Sequence, residues 1–229
     1  VGQVALPEED FEVYDAEDSE SQISGVIDLF SPGRRVVDLG AGRGRIALPL
    51  AEHGVQILAV DHDEAALSHE NWTEHSNLQV LREDFLSPHA TWFEGKDLDG
   101  VLCLGNTLNL VQDRNRVHDV FRRAAAVLSD TGIFLIDDFP LWGPDMIRTQ
   151  WPLGLSPDGD EQVVWAPGGQ SFAYRTGSDV DSDRRYPDPA ERLLRAWSIA
   201  ELEKIAAESG FGPWKHDESA LMILFAGSD

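Results

Sequence analysis

Residues Arg35-Val36-Val37-Asp38-Leu39-Gly40-Ala41-Gly42-Arg43-Gly44-Arg45 decide the fold. The apolar run through Leu39 reads as a buried strand, and the glycines after it permit a tight turn into a helix expected from Ile46 to His53 and closed by Gly54. A helix start presents unpaired N–H groups, and glycine lets a ligand approach the backbone closely, so the turn is suited to binding. It is not a P-loop, because Lys-Ser/Thr does not follow Gly44, and it fails the dinucleotide pattern G-x-G-x-x-G, because Arg45 holds the last glycine position. Taken alone, the run is a weak signal, and a tight turn with no ligand is the lesser reading of it. Pro49 conflicts with the interior of a helix, at about 3 kcal/mol, unless the helix begins close to Gly42 and the proline falls near its first turn.

Working outward, the same unit repeats. Ile23, Val26, Ile27 and Phe30 recur at helical spacing, so about 19 to 30 reads as an amphipathic helix, ended by Ser31-Pro32-Gly33. Val55 to Val60 is a second strand, 63 to 71 a helix, Leu78 to Leu81 a third strand and Gly100 to Leu104 a fourth. Val117, Val120, Phe121, Ala124 and Leu128 mark a helix face, and Asp130-Thr131-Gly132 turns into a strand from Ile133 to Ile136. Strands alternating with helices predict an α/β fold with a doubly wound, mainly parallel seven-stranded sheet and helices on both faces.

Residues 140 to 190 differ, holding seven of the twelve prolines around short apolar segments such as Val163-Val164-Trp165. They read as an inserted antiparallel cap. Helix resumes after Ser198, a good N-cap, and ends at Gly210; Pro213 to His216 and Ala220 to Phe225 read as closing strands. The expected organisation is one domain over 1–229: an N-terminal helical lid (1–30), a ligand-binding core (31–139), the cap (140–196) and a closing helix and strands (197–229).

Eighteen Lys plus Arg against 41 Asp plus Glu give a net charge of −23, with no basic run, which disfavours nucleic acid as a partner. The lone Cys103, inside an apolar run, is expected to be a buried thiol and suits a reducing cytoplasm. No 18-residue apolar stretch predicts a membrane span, and Val1-Gly2-Gln3 lacks the regions of a signal peptide. An exposed cap hairpin could pair with a second copy, leaving a homodimer open.

Further carboxylates fall at the same edge of the sheet. Asp61 ends the second strand, where it can accept hydrogen bonds from ribose hydroxyls. Asp84, in Arg82-Glu83-Asp84-Phe85, follows the third, within reach of an adenine amino group. His62 between Asp61 and Asp63 does not make a metal site, because neighbours on a strand end diverge and no third ligand is spaced to join them; no metal is expected.

These segments resemble a known family. Val36 to Leu67 is similar to the first two motifs of Rossmann-like, class I S-adenosylmethionine-dependent methyltransferases, and Leu81 to Phe85 resembles their adenine-contacting motif. Val101-Leu102-Cys103-Leu104-Gly105-Asn106-Thr107 is similar to the fourth-strand segment of glycine and sarcosine N-methyltransferases. The resemblance implies S-adenosylmethionine as cofactor and S-adenosylhomocysteine as product. It places Gly40, Ala41, Gly42 and Gly44 along the methionine moiety, with Asp38 near its amino group. Asp61 would hold the ribose, His62 would pack beside the adenine, Asp84 would take its exocyclic amine and Phe85 would line the pocket. Leu104 would offer its carbonyl to the ammonium, Asn106 would face sulfonium and acceptor, and Tyr14 would close over the site. Arg43 departs from the family, where Thr or Ser is frequent.

A sulfonium methyl is already electrophilic, so donor and acceptor need chiefly to be held in line and dry, worth about 7–11 kcal/mol. A dedicated base is optional. Asn106 and Asp138 are the candidate orienting groups; Asp137 and Asp138 both end the fifth strand, alternation lets only one face the crevice, and Asp138 is favoured. Trp142 and Arg175 in the cap are substrate candidates, as an aromatic wall and a carboxylate anchor, although cap packing explains the tryptophan equally well and an arginine in an acidic protein more often makes an ion pair. The expected reaction is methyl transfer to a small molecule, N-methylation of an amine or amino acid slightly ahead of O- or C-methylation. A non-catalytic nucleoside-binding protein is the alternative, and a nicotinamide-dependent oxidoreductase a lesser one.

Overall fold

The computed structural model describes residues 16–68, 72, 75–95, 97–137, 147–217 and 221–227. Tyr14, Asp138 and Trp142 lie outside these residues. In chain order the elements are α1 (Ala16–Leu29), β1 (Arg35–Leu39), α2 (Ala47–Glu52), β2 (Gln56–Asp61), α3 (Glu64–Leu67), β3 (Leu78–Arg82), β4 (Leu98–Cys103), α4 (Arg114–Val127), β5 (Leu128–Asp137), β6 (Glu161–Trp165), β7 (Ser171–Thr176), β8 (Leu194–Arg195), α5 (Ile199–Glu208), β9 (Lys215–Asp217) and β10 (Leu221–Phe225).

Seven strands form one sheet in the order β3-β2-β1-β4-β5-β10-β9. β1 to β5 pair in parallel, and β10 runs antiparallel to both β5 and β9. The order reverses between β1 and β4, which opens a crevice at the carboxyl ends of those strands, where ligands bind in open α/β sheets. Alternation along each strand splits the core in two. Val37, Leu39, Val101, Cys103, Phe134 and Ile136 pack with α4 and α5; Val36, Ile57, Ala59, Leu102, Ile133 and Leu135 pack with α1 and α2.

Pro49 sits inside the first turn of α2, where its missing N–H is not needed. Ser198 caps α5 as expected, in a capping box with Glu201. The third helix is shorter than the 63 to 71 read from sequence: Asp63 is its N-cap and Ser68 its C-cap. Asp130-Thr131-Gly132 proves to be strand rather than turn, because β5 starts at Leu128 and registers against a bulge between Leu98 and Gly100. Glycine is required there for close approach: a Cβ on Gly132 would lie 2.7 Å from the Leu98 carbonyl oxygen.

The inserted segment forms a separate three-stranded antiparallel sheet, β6-β7-β8, with a small core of Ile147, Val163 and Phe172. It is stitched to the main sheet through the turn after β4. Gln112 Nε2 donates to the Leu193 carbonyl (2.8 Å), its Oε1 accepts from Ser171 (2.7 Å), and Arg195 donates to the Gln112 carbonyl (2.7 Å).

Candidate active site

The pattern of alternate residues that places Val36, Ile57 and Leu135 toward α1 and α2 carries Asp38, Asp61 and Asp137 to the same face, one strand end each from β1, β2 and β5. All three are buried, at 3%, 8% and 2% exposure. Burial pushes the Asp38 carboxyl up to about 7; Arg45 opposes the shift, and Asp61 and Asp137 add to it.

The glycine turn closes onto β2 and β4. The N–H groups of Gly40 and Ala41 donate to the Val60 carbonyl at 2.8 and 3.1 Å, and Gly42 N–H donates to Asp61 Oδ2 at 2.9 Å. Gly40 has φ +75°, and a Cβ there would stand 2.6 Å from Thr107 Cγ2, so the turns after β1 and β4 touch and only glycine fits between them. Asp63 N–H donates to Asp61 Oδ1 at 2.9 Å, and Glu83 N–H donates to the Asp61 carbonyl at 2.8 Å, which draws the end of β3 alongside. Each Asp61 oxygen keeps a second lone pair for a diol.

His62 is half-exposed beside Asp61, its Nδ1 3.6 Å from Oδ1. Asp84 accepts from Leu86 N–H at 2.9 Å and lies 3.6 Å from Arg116, its carboxylate still 37% exposed and open at the crevice edge. Phe85 is buried on the α4 face, its carbonyl accepting from the Trp92 indole at 3.0 Å, so its ring belongs to the core beneath the site. The Leu104 carbonyl accepts from Thr107 Oγ1 at 2.6 Å. Asn106 follows with φ +58°. Its buried side-chain oxygen has no hydrogen-bond partner among the described residues.

Sequence reasoning ranked Asp137 behind Asp138; the structure places Asp137 on the face of Asp38 and Asp61, accepting from Gly105 N–H (3.2 Å), Asn106 N–H (2.7 Å) and Gln22 Nε2 (2.9 Å). The signal was available: Asp137 has the parity of Ile133 and Leu135. Gln22 and Arg45, joined at 2.6 Å, were missed because neither is distinctive in sequence. Arg175, a substrate candidate, is instead committed inside the cap. It is 5% exposed, paired with Glu191 through Nε and through Nη2 (2.9 Å), and donates to Gln162 Oε1 at 3.1 Å. Its guanidinium is therefore a structural ion pair, and the anchor reading does not hold.

The turns after β1, β2 and β4 thus meet around three buried carboxylates at the point where the strand order reverses, the place where open α/β sheets bind their ligands. The methyltransferase-domain family matches residues 36–132. A Bacillus subtilis (strain 168) protein, YqeM, named as a methyltransferase, is 31% identical over 190 residues, covering 77% of this chain and 73% of its own length. The methyltransferase CcbJ of Streptomyces caelestis shares the fold with a TM-score of 0.63 at 20% identity, covering 98% of this chain and 99% of its own. So does the 1,6-didemethyltoxoflavin-N1-methyltransferase of Burkholderia thailandensis, solved with S-adenosylhomocysteine, at TM-score 0.56 and 18% identity over 93% and 80% of the two chains. The chain belongs to the class I S-adenosylmethionine-dependent methyltransferases. The residues present fit that cofactor: Asp38 is a desolvated carboxylate whose charge an ammonium would relieve, and the buried Asn106 side-chain oxygen has no partner among the described residues. No described helix is long and apolar enough to cross a membrane.

Proposed function

We propose that the chain methylates a small molecule, with N-methylation of an amine or amino acid ahead of O- or C-methylation. The observation that carries this is the buried Asn106 side-chain oxygen on the turn after β4, without a partner among the described residues, an acceptor set to meet an N–H of an incoming amine. The likeness of Leu104 to Thr107 to glycine and sarcosine N-methyltransferases supports the same reading, as does the N-methyltransferase among the structures of similar fold.

In this reading Asp38 and the Leu104 carbonyl hold the donor's ammonium, and Gly40, Ala41, Gly42 and Gly44 border its methionine portion. Asp61 holds the ribose, with His62 and Asp84 at the adenine and Phe85 supporting that end. Tyr14, Asp138 and Trp142, outside the described residues, are proposed for closing the site and for the acceptor only by the family resemblance and their place in the sequence. S-adenosylmethionine supplies an activated methyl group; the protein's part is to align, orient and exclude water. Asn106 orients a neutral amine, and water carries off its proton.

The acidic surface suits a small partner rather than nucleic acid, and we place the protein in the cytoplasm, as a monomer or a homodimer joined through the cap. A labelled-methyl screen over amines, phenols, small acids and activated carbons tests the reading. Turnover confined to phenols or carbon acids would overturn the N-methylation preference. Calorimetry with S-adenosylmethionine, S-adenosylhomocysteine and NAD tests the site, and binding of NAD alone would overturn it.

A further inference from the structure

Gln22 lies on the inward side of α1, one turn before Val26, and is 1% exposed. A polar side chain persists there only with its hydrogen bonds made. Both ends are engaged: Nε2 donates to Asp137 Oδ1 at 2.9 Å, and Oε1 accepts from Arg45 at 2.6 Å. Asp137 in turn accepts the backbone N–H groups of Gly105 and Asn106 at 3.2 and 2.7 Å. A continuous hydrogen-bonded chain thus runs from the N-terminal helix to the turn after β4. That turn is strained, since Asn106 is a non-glycine residue at φ +58°. A carboxylate held by three donors has one rotamer left, and so fixes the two amides it accepts.

We infer that Asp137 and Gln22 are positioning residues for methyl transfer: Asp137 pins the Gly105–Asn106 turn in its left-handed shape, and Gln22 locks Asp137 only while α1 is docked on the sheet. The inference rests on the reading that the acceptor meets the donor at that turn. It adds a dependence of turnover on the N-terminal helix, through side chains that need touch neither donor nor acceptor.

The test uses the full chain and an acceptor found in the screen. Gln22→Met keeps the volume and the packing of α1 while removing both bonds. Asp137→Asn keeps the shape but turns an amide donor toward an N–H. Turnover, donor affinity, melting temperature and amide hydrogen exchange of residues 104–107 and of the core are measured together. For each variant kcat falls by about tenfold or more, as slight misplacement of reacting groups does. The melting temperature falls modestly, because Arg45 and Asp137 lose buried partners; kcat falls by a larger factor than donor affinity, and exchange at Gly105 and Asn106 accelerates more than at amides of the core. The double variant is no slower than the slower single, since both break one relay. Wild-type kcat with unchanged exchange in Gln22→Met overturns the inference, as does a loss of kcat no larger than the loss of donor affinity with exchange at Gly105 and Asn106 no faster than at core amides. A wild type that binds donor yet methylates nothing defeats the proposed function instead, while the exchange measurement still decides whether Gln22 holds the turn.

Discussion

Donor binding should depend on pH through Asp38. Buried without a full counter-charge, the free-state carboxyl titrates at about 7. A ligand ammonium beside it favours the ionised form, so binding below that pH must expel a proton. The dissociation constant then rises by a factor of one plus the protonated-to-ionised ratio: about 11-fold at pH 6 and about 1.1-fold at pH 8, relative to the plateau. That interval corresponds to about 1.4 kcal/mol. Titration calorimetry in buffers of different ionisation enthalpy should read about nine-tenths of a proton released at pH 6 and about one-tenth at pH 8. The donor's own α-amino group, near 7.7–8.0 in its ordinary range, weakens binding on the alkaline side, so affinity peaks between the two.

Stability moves the opposite way. Because the folded-state value lies above the unfolded one, the protonated form contributes stability that is complete below about pH 3.8 and lost as pH rises through about 7. Asp38→Asn should therefore raise the melting temperature of the ligand-free protein at pH 8, by a free energy of up to about 4 kcal/mol, while weakening donor binding and abolishing proton release. A flat dissociation constant from pH 5.5 to 7.5, or the same proton count in the variant, would refute the assignment.

Asp61→Ala should weaken S-adenosylmethionine by about 1.5–3 kcal/mol in calorimetry; unchanged affinity would remove the ribose role. Gly40→Ala should destabilise the fold and lower donor affinity together, because its Cβ meets Thr107, whereas Gly33→Ala, at φ +84° in open space, should cost only its backbone conformation, about 1–2 kcal/mol. Chemical denaturation with parallel donor titration separates the two. Arg175→Ala should destabilise the cap by about 2 kcal/mol or more, by stranding Glu191, with donor affinity intact. Arg175 also holds the Glu191 carboxyl below its ordinary range, so the wild-type pair should lose stability as pH falls through that lowered value, a limb absent from the acid melts of Arg175→Ala.

The parallel core was legible because apolar runs of five or six residues and their glycine turns report strand order locally, and Asp38 and Asp61 are pinned by those turns. What escaped was set by contacts distant in sequence. Gly132 looks like a turn residue, yet it is small because the Leu98 carbonyl presses against it. Arg175 looked like an anchor because nothing nearby in sequence announced Glu191 as its partner. Of the adjacent pair ending β5, Asp138 was favoured although strand parity already aimed Asp137 at the crevice. Gln22 reads as an ordinary interruption of an apolar helix face until the sheet is assembled beneath it.

The way the cap is attached has an evolutionary consequence. Its three strands carry their own small core and reach the main sheet through the short Gln112 bridge to Ser171, Leu193 and Arg195. A module tied on so lightly can be exchanged or reshaped in descendants of this scaffold while the sheet and its strand-end turns are inherited unaltered. Change in that module would then leave the buried carboxylates and the turns that hold them untouched.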